Sequence, residues 1–351
     1  MDFALTEEQK MIADTARDFF TENATSERTR AAMASGGLDA ATWRAYCEEL
    51  GFGGLGIPEA FGGAGLGMVE FASVAEAAGA QVAAIPLLGQ AMAIAAILAG
   101  GDTAQKERWL APIASGEMVA VVAEAGSAAC DGERLTAELE HIPHGAVADL
   151  ILVLGARNAW IVETAAAGVT VTAHTSMDQT RPLAGLRIEG ATAVPLADAA
   201  AAAAAALQSG WICLAAEALG GAQACLDRTV VYARERVQFG RPIGSFQAYK
   251  HRLADMMIEI EQARSALYWA ACAVDEGTDD PDLALHAAKS FCADTFFRCA
   301  ADMIQLHGGI GFTWEHDAHL FFKRARSIQT LLGTGAWHRE EVAKMILGDM
   351  A

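Results

Sequence analysis

The sequence predicts an α+β fold in which a small β-domain lies between two helical parts. Helical apolar periodicity runs through the first third of the chain. Short β-branched segments follow, and long helical patterns then resume to the end. We therefore predict three domains: a helical one over residues 1–116, a β-domain over 117–197 and a helical one over 198–351.

The N-terminal part is predicted to contain several helices. Thr6 is a suitable N-cap, because Glu7 and Glu8 follow it in the first turn. Asp39 opens a second helix, which ends near Leu50. Residues 51–67 are too rich in glycine for regular structure and predict a loop. Further helices are predicted over 68–79, 85–99 and 103–114.

Six short segments predict the strands of the β-domain. Each one is rich in apolar, often β-branched, residues and is bounded by turn residues. They are residues 119–122, 135–139, 150–154, 159–162, 169–172 and 186–188. Helical patterning then resumes over 198–240, 246–276, 280–307 and 317–347.

Composition excludes several classes of function. A formal net charge of −19 argues against nucleic-acid binding, which needs a concentrated positive surface. Any anionic ligand must therefore be held by local cations. No leader of basic and then apolar residues opens the chain, and the Ala-rich stretch 197–207 is too short to span a bilayer. We expect a cytoplasmic protein with no membrane contact.

The seven cysteines are predicted to be reduced. Their number is odd, no two are spaced as Cys-x-x-Cys, and most lie in Ala-rich helical patterns. The sequence around Trp314 and His316 contains no pair of histidines at metal-ligand spacing with a further ligand nearby. We therefore predict no metal.

The most informative segment is residues 234–247, directly after a long helical pattern. Arg236 places a permanent cation beside a turn, where it suits a phosphate or pyrophosphate. Gln238 and Gln247 add amides, and Phe239 adds a flat apolar ring. The combination fits an adenine dinucleotide that is bound without a Gly-rich Rossmann loop. The alternative is a helix cap with ordinary surface charge.

Over nearly its whole length the chain resembles the acyl-CoA dehydrogenase family of flavoproteins. Six pieces, each weak alone, occur in family order at family-like spacing: residues 5–9, 50–59, 61–65, 101–117, 234–247 and 305–312. The resemblance implies an acyl-CoA dehydrogenase-like fold: an N-terminal helical domain, a shortened middle β-domain and a C-terminal four-helix bundle. It also implies FAD as the cofactor and an acyl-CoA thioester as the substrate.

The resemblance implies that two segments contact the FAD of a neighbouring subunit. The matching residues are Arg236, Gln238, Phe239, Phe246, Gln247, Gln305, Leu306, Gly308 and Gly309. The flavin site would then span a subunit interface, and the chain would form a dimer or tetramer. The alternatives are core packing for Phe246, a solvated ion pair for Arg236 and a simple C-cap for the glycines.

Further FAD contacts are implied at Glu124, Ser127 and Thr334. Around Glu124 the family usually has Thr-Glu-Pro-Gly, whereas this chain has Ala123 and Ala125 in place of the Thr and Pro. The family's Trp-Ile-Thr flavin contact has no match over residues 132–150. One usual wall around the isoalloxazine ring is therefore missing, or another backbone segment replaces it.

The catalytic base is the second departure. The implied reaction is α,β-dehydrogenation: a carboxylate removes the α-proton of the thioester as hydride passes to flavin N5. Leu332 occupies the usual position of that base, and Gly210 occupies the position used by a minority of the family. Glu217, an acid in an apolar helical run, is the strongest replacement, and its alternative role is a structural acid or a polar subunit contact. Weaker candidates are Glu124, Glu315 and Asp317.

Two hypotheses follow. In the first, the chain is an active homo-oligomeric acyl-CoA dehydrogenase with a relocated carboxylate. In the second, it is a partner subunit of an α2β2 heterotetramer, like short bacterial family members that act on steroid side-chain CoA esters. The resemblance implies an electron-transferring flavoprotein as electron acceptor in either case. A flavin-free acyl-CoA-binding scaffold is a third, disfavoured class, because the FAD segments are retained.

Overall fold

The computed structural model describes residues 5–278 and 281–348, which divide into two compact units. The first, called here the helical unit, draws its described residues from 1–26, 68–83 and 214–351. The second, the β-containing unit, comprises 27–67 and 84–213. The predicted order of helical, β and helical parts is confirmed, whereas the bounds of the three predicted domains stay a prediction.

The helical unit is built from long helices around an Ala-rich core. Helix α9 packs against α8, α10 and α11, and α4 packs against α1 and α8. Their bounds are α1 Glu7–Asn23, α4 Met68–Ala80, α8 Gln247–Asp275, α9 Asp282–His307, α10 Ala318–Thr330 and α11 Gly335–Leu347. Helix α7, Ala199–Glu235, begins in the β-containing unit and ends in this one.

Thr6 caps α1 as predicted. Its Oγ1 accepts a hydrogen bond from the Gln9 amide at 3.2 Å, and the Gln9 side chain accepts one from the Thr6 amide at 2.9 Å. This is a complete capping box, which satisfies two backbone donors that have no partner inside the helix.

Two glycines allow α4 and α7 to cross closely. A Cβ added at Gly220 would lie 1.8 Å from the carbonyl oxygen of Glu76, and one at Gly79 would lie 2.5 Å from the Cα of Glu217. Both clashes are with backbone atoms, so a side chain at either position would force the helices apart.

The β-containing unit has two four-stranded sheets, in the orders β1-β4-β5-β8 and β2-β3-β7-β6. Strands β1 and β4 are parallel and the other pairs are antiparallel. The strands are β1 Ala120–Glu124, β2 Ala128–Asp131, β3 Arg134–Pro143, β4 Leu150–Leu154, β5 Ala159–Glu163, β6 Val169–Ala173, β7 Leu183–Thr192 and β8 Val194–Pro195. One buried cluster of apolar side chains from both sheets holds them together.

All six predicted strands are confirmed, and β2 and β8 are additional. The same unit contains most of α2 Ser26–Ala34, together with α3 Ala40–Arg44, α5 Leu87–Gly100 and α6 Thr103–Ala114. Residues 51–67 form a loop with two short 3-10 turns, as predicted. The predicted start of a helix at Asp280 lies outside the described residues, and α9 is described from Asp282.

The prediction of helix up to residue 240 is wrong at its end. Helix α7 stops at Glu235, and residues Val237–Gln238 and Arg241–Pro242 form the short antiparallel strands β9 and β10. Two residues at positive φ make the turn between the strands, and a helix cannot continue through them.

Within residues 5–278 and 281–348, one helix is long and apolar enough to cross a membrane by composition. It is α7, and 56% of the relevant window is buried inside the fold, as in the core helix of a folded domain. Five of the seven free cysteines are buried, whereas Cys272 is partly exposed and Cys130 is exposed. The cytoplasmic location stays a prediction.

Candidate flavin-binding and catalytic site

The segment from Arg236 to Gln247, called here the hairpin segment, is a tight β-hairpin followed by the start of α8. Gln238 pairs with Arg241, so the turn has two central residues, Phe239 and Gly240. Their φ angles are 54° and 76°, which is the pattern of a type I′ turn. Glycine adopts this conformation readily. A phenylalanine there is uncommon, and strained residues of this kind cluster at functional sites.

Two polar side chains of the hairpin segment, those of Arg236 and Gln238, have no partner beyond the segment among the described residues. Within the described residues, the Arg236 guanidinium makes no ion pair or hydrogen bond, so the predicted alternative of a solvated ion pair has no support. The side-chain amide of Gln238 donates only to the adjacent Val237 carbonyl, at 2.9 Å. Arg236 therefore presents an uncommitted cation that suits a phosphate.

Phe246 is not a core residue. The Arg241 guanidinium lies 4.0 Å above its ring, and Phe239 approaches it edge-on at 6.2 Å. Phe239 itself is 91% exposed. The alternative of core packing for Phe246 is thus not supported, because its neighbours are surface residues.

The second predicted contact region, residues 305–312, is called here the glycine segment. Helix α9 ends at His307, and Gly308 follows with φ 65° and ψ −142°, a conformation that is essentially restricted to glycine. A Cβ at Gly308 or Gly309 would meet nothing within 4 Å, so the backbone there is open to a ligand. Gln305 is exposed on the preceding turn.

The structure brings the hairpin and glycine segments together at one end of the helical unit. The Tyr249 hydroxyl donates to the Leu306 carbonyl at 2.7 Å. The ring of Tyr232, in the last turns of α7, stacks on His307 with 4.4 Å between centroids. The nine residues that the resemblance assigns to the neighbouring subunit's FAD all belong to these two segments, and Tyr232 and Tyr249 flank the hairpin segment on either side.

The surface formed by the two segments has the chemistry of a dinucleotide site. It combines an uncommitted guanidinium, open glycine backbone and exposed rings. Ile310, Phe312 and Trp314 continue the exposed apolar surface, at 47%, 85% and 61% exposure. These residues fit FAD, because the cation suits the pyrophosphate and flat rings suit its aromatic systems.

The other three predicted FAD contacts lie elsewhere. Glu124 is the exposed last residue of β1, and Ser127 is exposed in the turn that follows it. Thr334 is the N-cap of α11, where its Oγ1 accepts from the Trp337 amide at 3.3 Å. The roles of all three in FAD binding stay predictions.

Neither usual base position carries an ionisable side chain. Gly210 is buried within α7. Leu332 lies in the turn between α10 and α11, with φ at 52°. Its carbonyl contacts His338 Nε2 at 3.1 Å, and the next carbonyl, of Gly333, accepts a hydrogen bond from Lys289. These two contacts hold the turn in place, although the Leu332 side chain cannot accept a proton.

Glu217 is committed to an internal ion pair. Its Oε1 lies 3.3 Å from Arg324 Nη1, and the two side chains are 3% and 1% exposed. The second nitrogen of Arg324 donates to the Ala83 carbonyl at 3.3 Å. The carboxylate is thus already paired inside the fold, and this geometry favours the structural role over the catalytic one. The catalytic role stays a prediction.

Two of the weaker candidates for the catalytic base are an exposed acid and a paired acid. Glu315 is exposed, and Asp317 accepts from Ser26 Oγ at 2.7 Å and pairs with Arg228 at 3.5 Å. Within the described part of the chain, no group of three or more His, Cys, Asp or Glu side chains is arranged to hold a metal ion.

Sequence reasoning missed a buried cluster of ionisable residues behind the Leu332 turn. Lys289 and His338 are fully buried, and His286 Nδ1 contacts His338 Nδ1 at 2.7 Å. Burial lowers the pKa of Lys289 to about 8, and burial together with the Lys289 charge lowers the pKa of His338 to about 3. The available signal was a histidine and a lysine three residues apart in the apolar pattern of α9.

The fold and this surface together fit a flavin-dependent oxidoreductase. Residues 6–117 match the profile of the acyl-CoA dehydrogenase N-terminal domain, and residues 200–347 match that of the C-terminal domain. The chain belongs to the acyl-CoA dehydrogenase family. It is an acyl-CoA dehydrogenase-type oxidoreductase, and its cofactor is FAD.

Similar proteins cover the whole fold. Acyl-CoA dehydrogenase IpdE2 of Mycolicibacterium smegmatis is 36% identical over 337 residues, covering 94% of this chain and 96% of that protein. The ChsE4-ChsE5 complex from Mycobacterium tuberculosis contains a chain that is 28% identical with a TM-score of 0.91, covering 100% of both chains. A variant of the Tcur3481-Tcur3483 steroid ACAD is 31% identical with a TM-score of 0.89, covering 97% of this chain and 98% of that one.

Proposed function

We propose that this chain is a subunit of a heteromeric acyl-CoA dehydrogenase in which a second subunit supplies the catalytic base. The observation that carries this proposal is the combination of a dinucleotide-binding surface with two base positions that hold Leu332 and Gly210. The internal pairing of Glu217 with Arg324 adds support. Two of the similar structures are named for a pair of chains, ChsE4-ChsE5 and Tcur3481-Tcur3483.

In this proposal the chain's role is to bind and orient. Arg236 holds the pyrophosphate, the amides of Gln238 and Gln247 fix the dinucleotide's polar edges, and the open backbone at Gly308 and Gly309 allows close approach. Bound FAD would supply the hydride acceptor for the β-hydrogen of the thioester. The carboxylate that removes the α-proton belongs to the other subunit, because a leucine cannot accept a proton.

We further propose a steroid acyl-CoA as the substrate class. The support is the likeness of this chain to the Tcur3481-Tcur3483 steroid ACAD. The small residue at Gly210, within the buried part of α7, leaves no side chain there to oppose a ring-bearing acyl group. An electron-transferring flavoprotein is the proposed electron acceptor.

The first test measures FAD per chain and native mass for the chain expressed alone. It then repeats both measurements after co-expression with a second acyl-CoA dehydrogenase subunit that carries a glutamate at the position of Leu332. We expect little FAD in the chain alone, and in the complex both FAD and dehydrogenation of a steroid acyl-CoA with an artificial acceptor dye. A chain that alone binds one FAD and oxidises the thioester would overturn the proposal.

A second candidate function is a self-sufficient homo-oligomeric dehydrogenase with Glu217 as the base. The observation in its favour is that Glu217 is 2% exposed in an otherwise apolar helix, where an acid is uncommon unless it has a structural or functional role. It predicts that the homo-oligomer is active and that Glu217→Gln abolishes its turnover. Near-normal turnover of that variant would eliminate this candidate.

A further inference from the structure

The carbonyl of Leu306 has no amide donor within its own helix. The last four carbonyls of an α-helix have no amide partner within the helix, and Leu306 lies one residue before the end of α9. The neighbouring carbonyl, of Gln305, accepts from the Gly308 amide. The Leu306 carbonyl is instead satisfied from another helix, by the Tyr249 hydroxyl at 2.7 Å.

Tyr249 is also joined to the hairpin segment, by a backbone hydrogen bond. Its amide donates to the carbonyl of Phe246, at 3.1 Å, one turn earlier. The Ile243 amide in turn donates to the Arg236 carbonyl at 2.9 Å. A short chain of hydrogen bonds therefore runs from Arg236 through the start of α8 to the end of α9.

At Gly308 and Gly309 no side chain helps to hold the glycine segment in position. Gly308 and Gly309 have no side chains, and nothing lies within 4 Å of where a Cβ would be. Glycine backbone loses more conformational entropy on ordering than any other residue. A fixed anchor immediately before it lowers the entropy that FAD binding must otherwise remove.

The Tyr249 hydroxyl is a dependable donor. Burial, with a smaller contribution from Tyr232, raises its pKa to about 12, so the hydroxyl stays protonated over the physiological range. A second link is the stack of Tyr232, just before the hairpin segment, on His307, with 4.4 Å between the ring centroids.

We propose that Tyr249 is a positioning residue that fixes the glycine segment against the hairpin segment, so that both contact the same FAD. This inference rests on the proposed FAD surface and deepens it. Tyr249 acts through Leu306 and is not itself placed in contact with the cofactor.

The test compares Tyr249→Phe with Tyr268→Phe. Tyr268 is the matched control, because it lies on the same helix and its hydroxyl also makes hydrogen bonds, to Ser73 and Glu76 at 3.3 and 3.4 Å, in a different part of the unit. FAD affinity and melting temperature are measured on the full-length chain in the oligomer in which it binds FAD. Flavin fluorescence reports release of the cofactor.

We expect Tyr249→Phe to weaken FAD binding about three- to tenfold, the effect of one hydrogen bond. Its melting temperature should match that of the Tyr268→Phe control, whose FAD affinity should equal that of the parent protein. Equal loss of FAD affinity in both variants would overturn the inference, because it would mark a general loss of stability. Unchanged FAD affinity in Tyr249→Phe would overturn it as well.

Arg236→Ala separates this inference from the proposal beneath it. If Arg236→Ala weakens FAD binding and Tyr249→Phe does not, the positioning role fails while the FAD surface stands. If neither variant changes FAD binding, the assignment of the surface itself fails.

Discussion

Replacing Glu217 with glutamine removes one charge from a buried ion pair and keeps an oxygen that can accept a hydrogen bond. The partner guanidinium, of Arg324, is 1% exposed and lies 3.3 Å away. Breaking a buried pair by removing one partner costs about 3–5 kcal/mol. We expect the low end, about 3 kcal/mol, because glutamine keeps the acceptor and Arg324 also donates to Ala83.

That loss of stability can be measured as a fall in the melting temperature. For a unit of this size each kcal/mol lowers the melting temperature by about 2 °C, so the variant should melt roughly 6 °C below the parent. Turnover of the assembled enzyme, measured well below that temperature, should stay near normal. Glu340→Gln, an exposed glutamate on α11, is the matched control and should change neither quantity.

The opposite pattern would refute the structural role of Glu217. If Glu217→Gln kept the parent's melting temperature and lost turnover by a thousandfold or more, the carboxylate would be acting on the substrate. A double variant, Glu217→Leu with Arg324→Met, gives an independent check. It should recover most of the stability lost by either single change, because well-packed apolar residues can replace a buried pair at little cost.

Three further perturbations test other parts of the fold. His338 has a folded pKa of about 3 against 6.5 when unfolded, so stability should fall as pH drops from about 6.5 towards 3, and His338→Gln should flatten that slope in acid titrations followed by circular dichroism. Lys289 has a folded pKa of about 8 against 10.5, so the unfolded chain binds more protons between these values; stability should rise over that range, and Lys289→Met should remove the rise in urea melts. Gly220→Ala places a Cβ 1.8 Å from the Glu76 carbonyl and should cost about 1–3 kcal/mol, whereas Gly126→Ala, with nothing within 4 Å, should leave the unfolding midpoint unchanged.

Local signals in the sequence predicted much of the fold. The cap at Thr6 depends on residues within one turn, and the six predicted strands follow from β-branched runs between turns. The two strands missed in the β-containing unit lack that signal: β2 is Ala-Ala-Cys-Asp, mostly exposed, and β8 has only two residues. The hairpin after α7 was missed because Phe239 occupies a left-handed position that favours glycine or asparagine.

The site shows the same division between local and tertiary information. The composition of residues 234–247 predicted the hairpin part of the dinucleotide surface, because the functional groups of that part all lie within one segment. The partner of Glu217 could not be predicted, since Arg324 lies 107 positions away and only packing of α7 against α10 brings them together. The same is true of Tyr249 and Leu306, which are 57 positions apart.

The exposed rings at the end of the helical unit have a consequence for how the cell makes this protein. Phe239 and Phe312 are 91% and 85% exposed, and Trp314 adds a further apolar face. An apolar surface of this kind favours aggregation while it stays uncovered. If the chain is synthesised in excess of the protein that covers those rings, the excess molecules keep an exposed apolar surface. Chaperones and proteases would then have to remove them. In the proposed heteromer the second subunit covers this surface, so the amount of this chain in the cell should follow that of the second subunit. Titrating expression of the two chains against each other should then show a soluble fraction that peaks at matched levels.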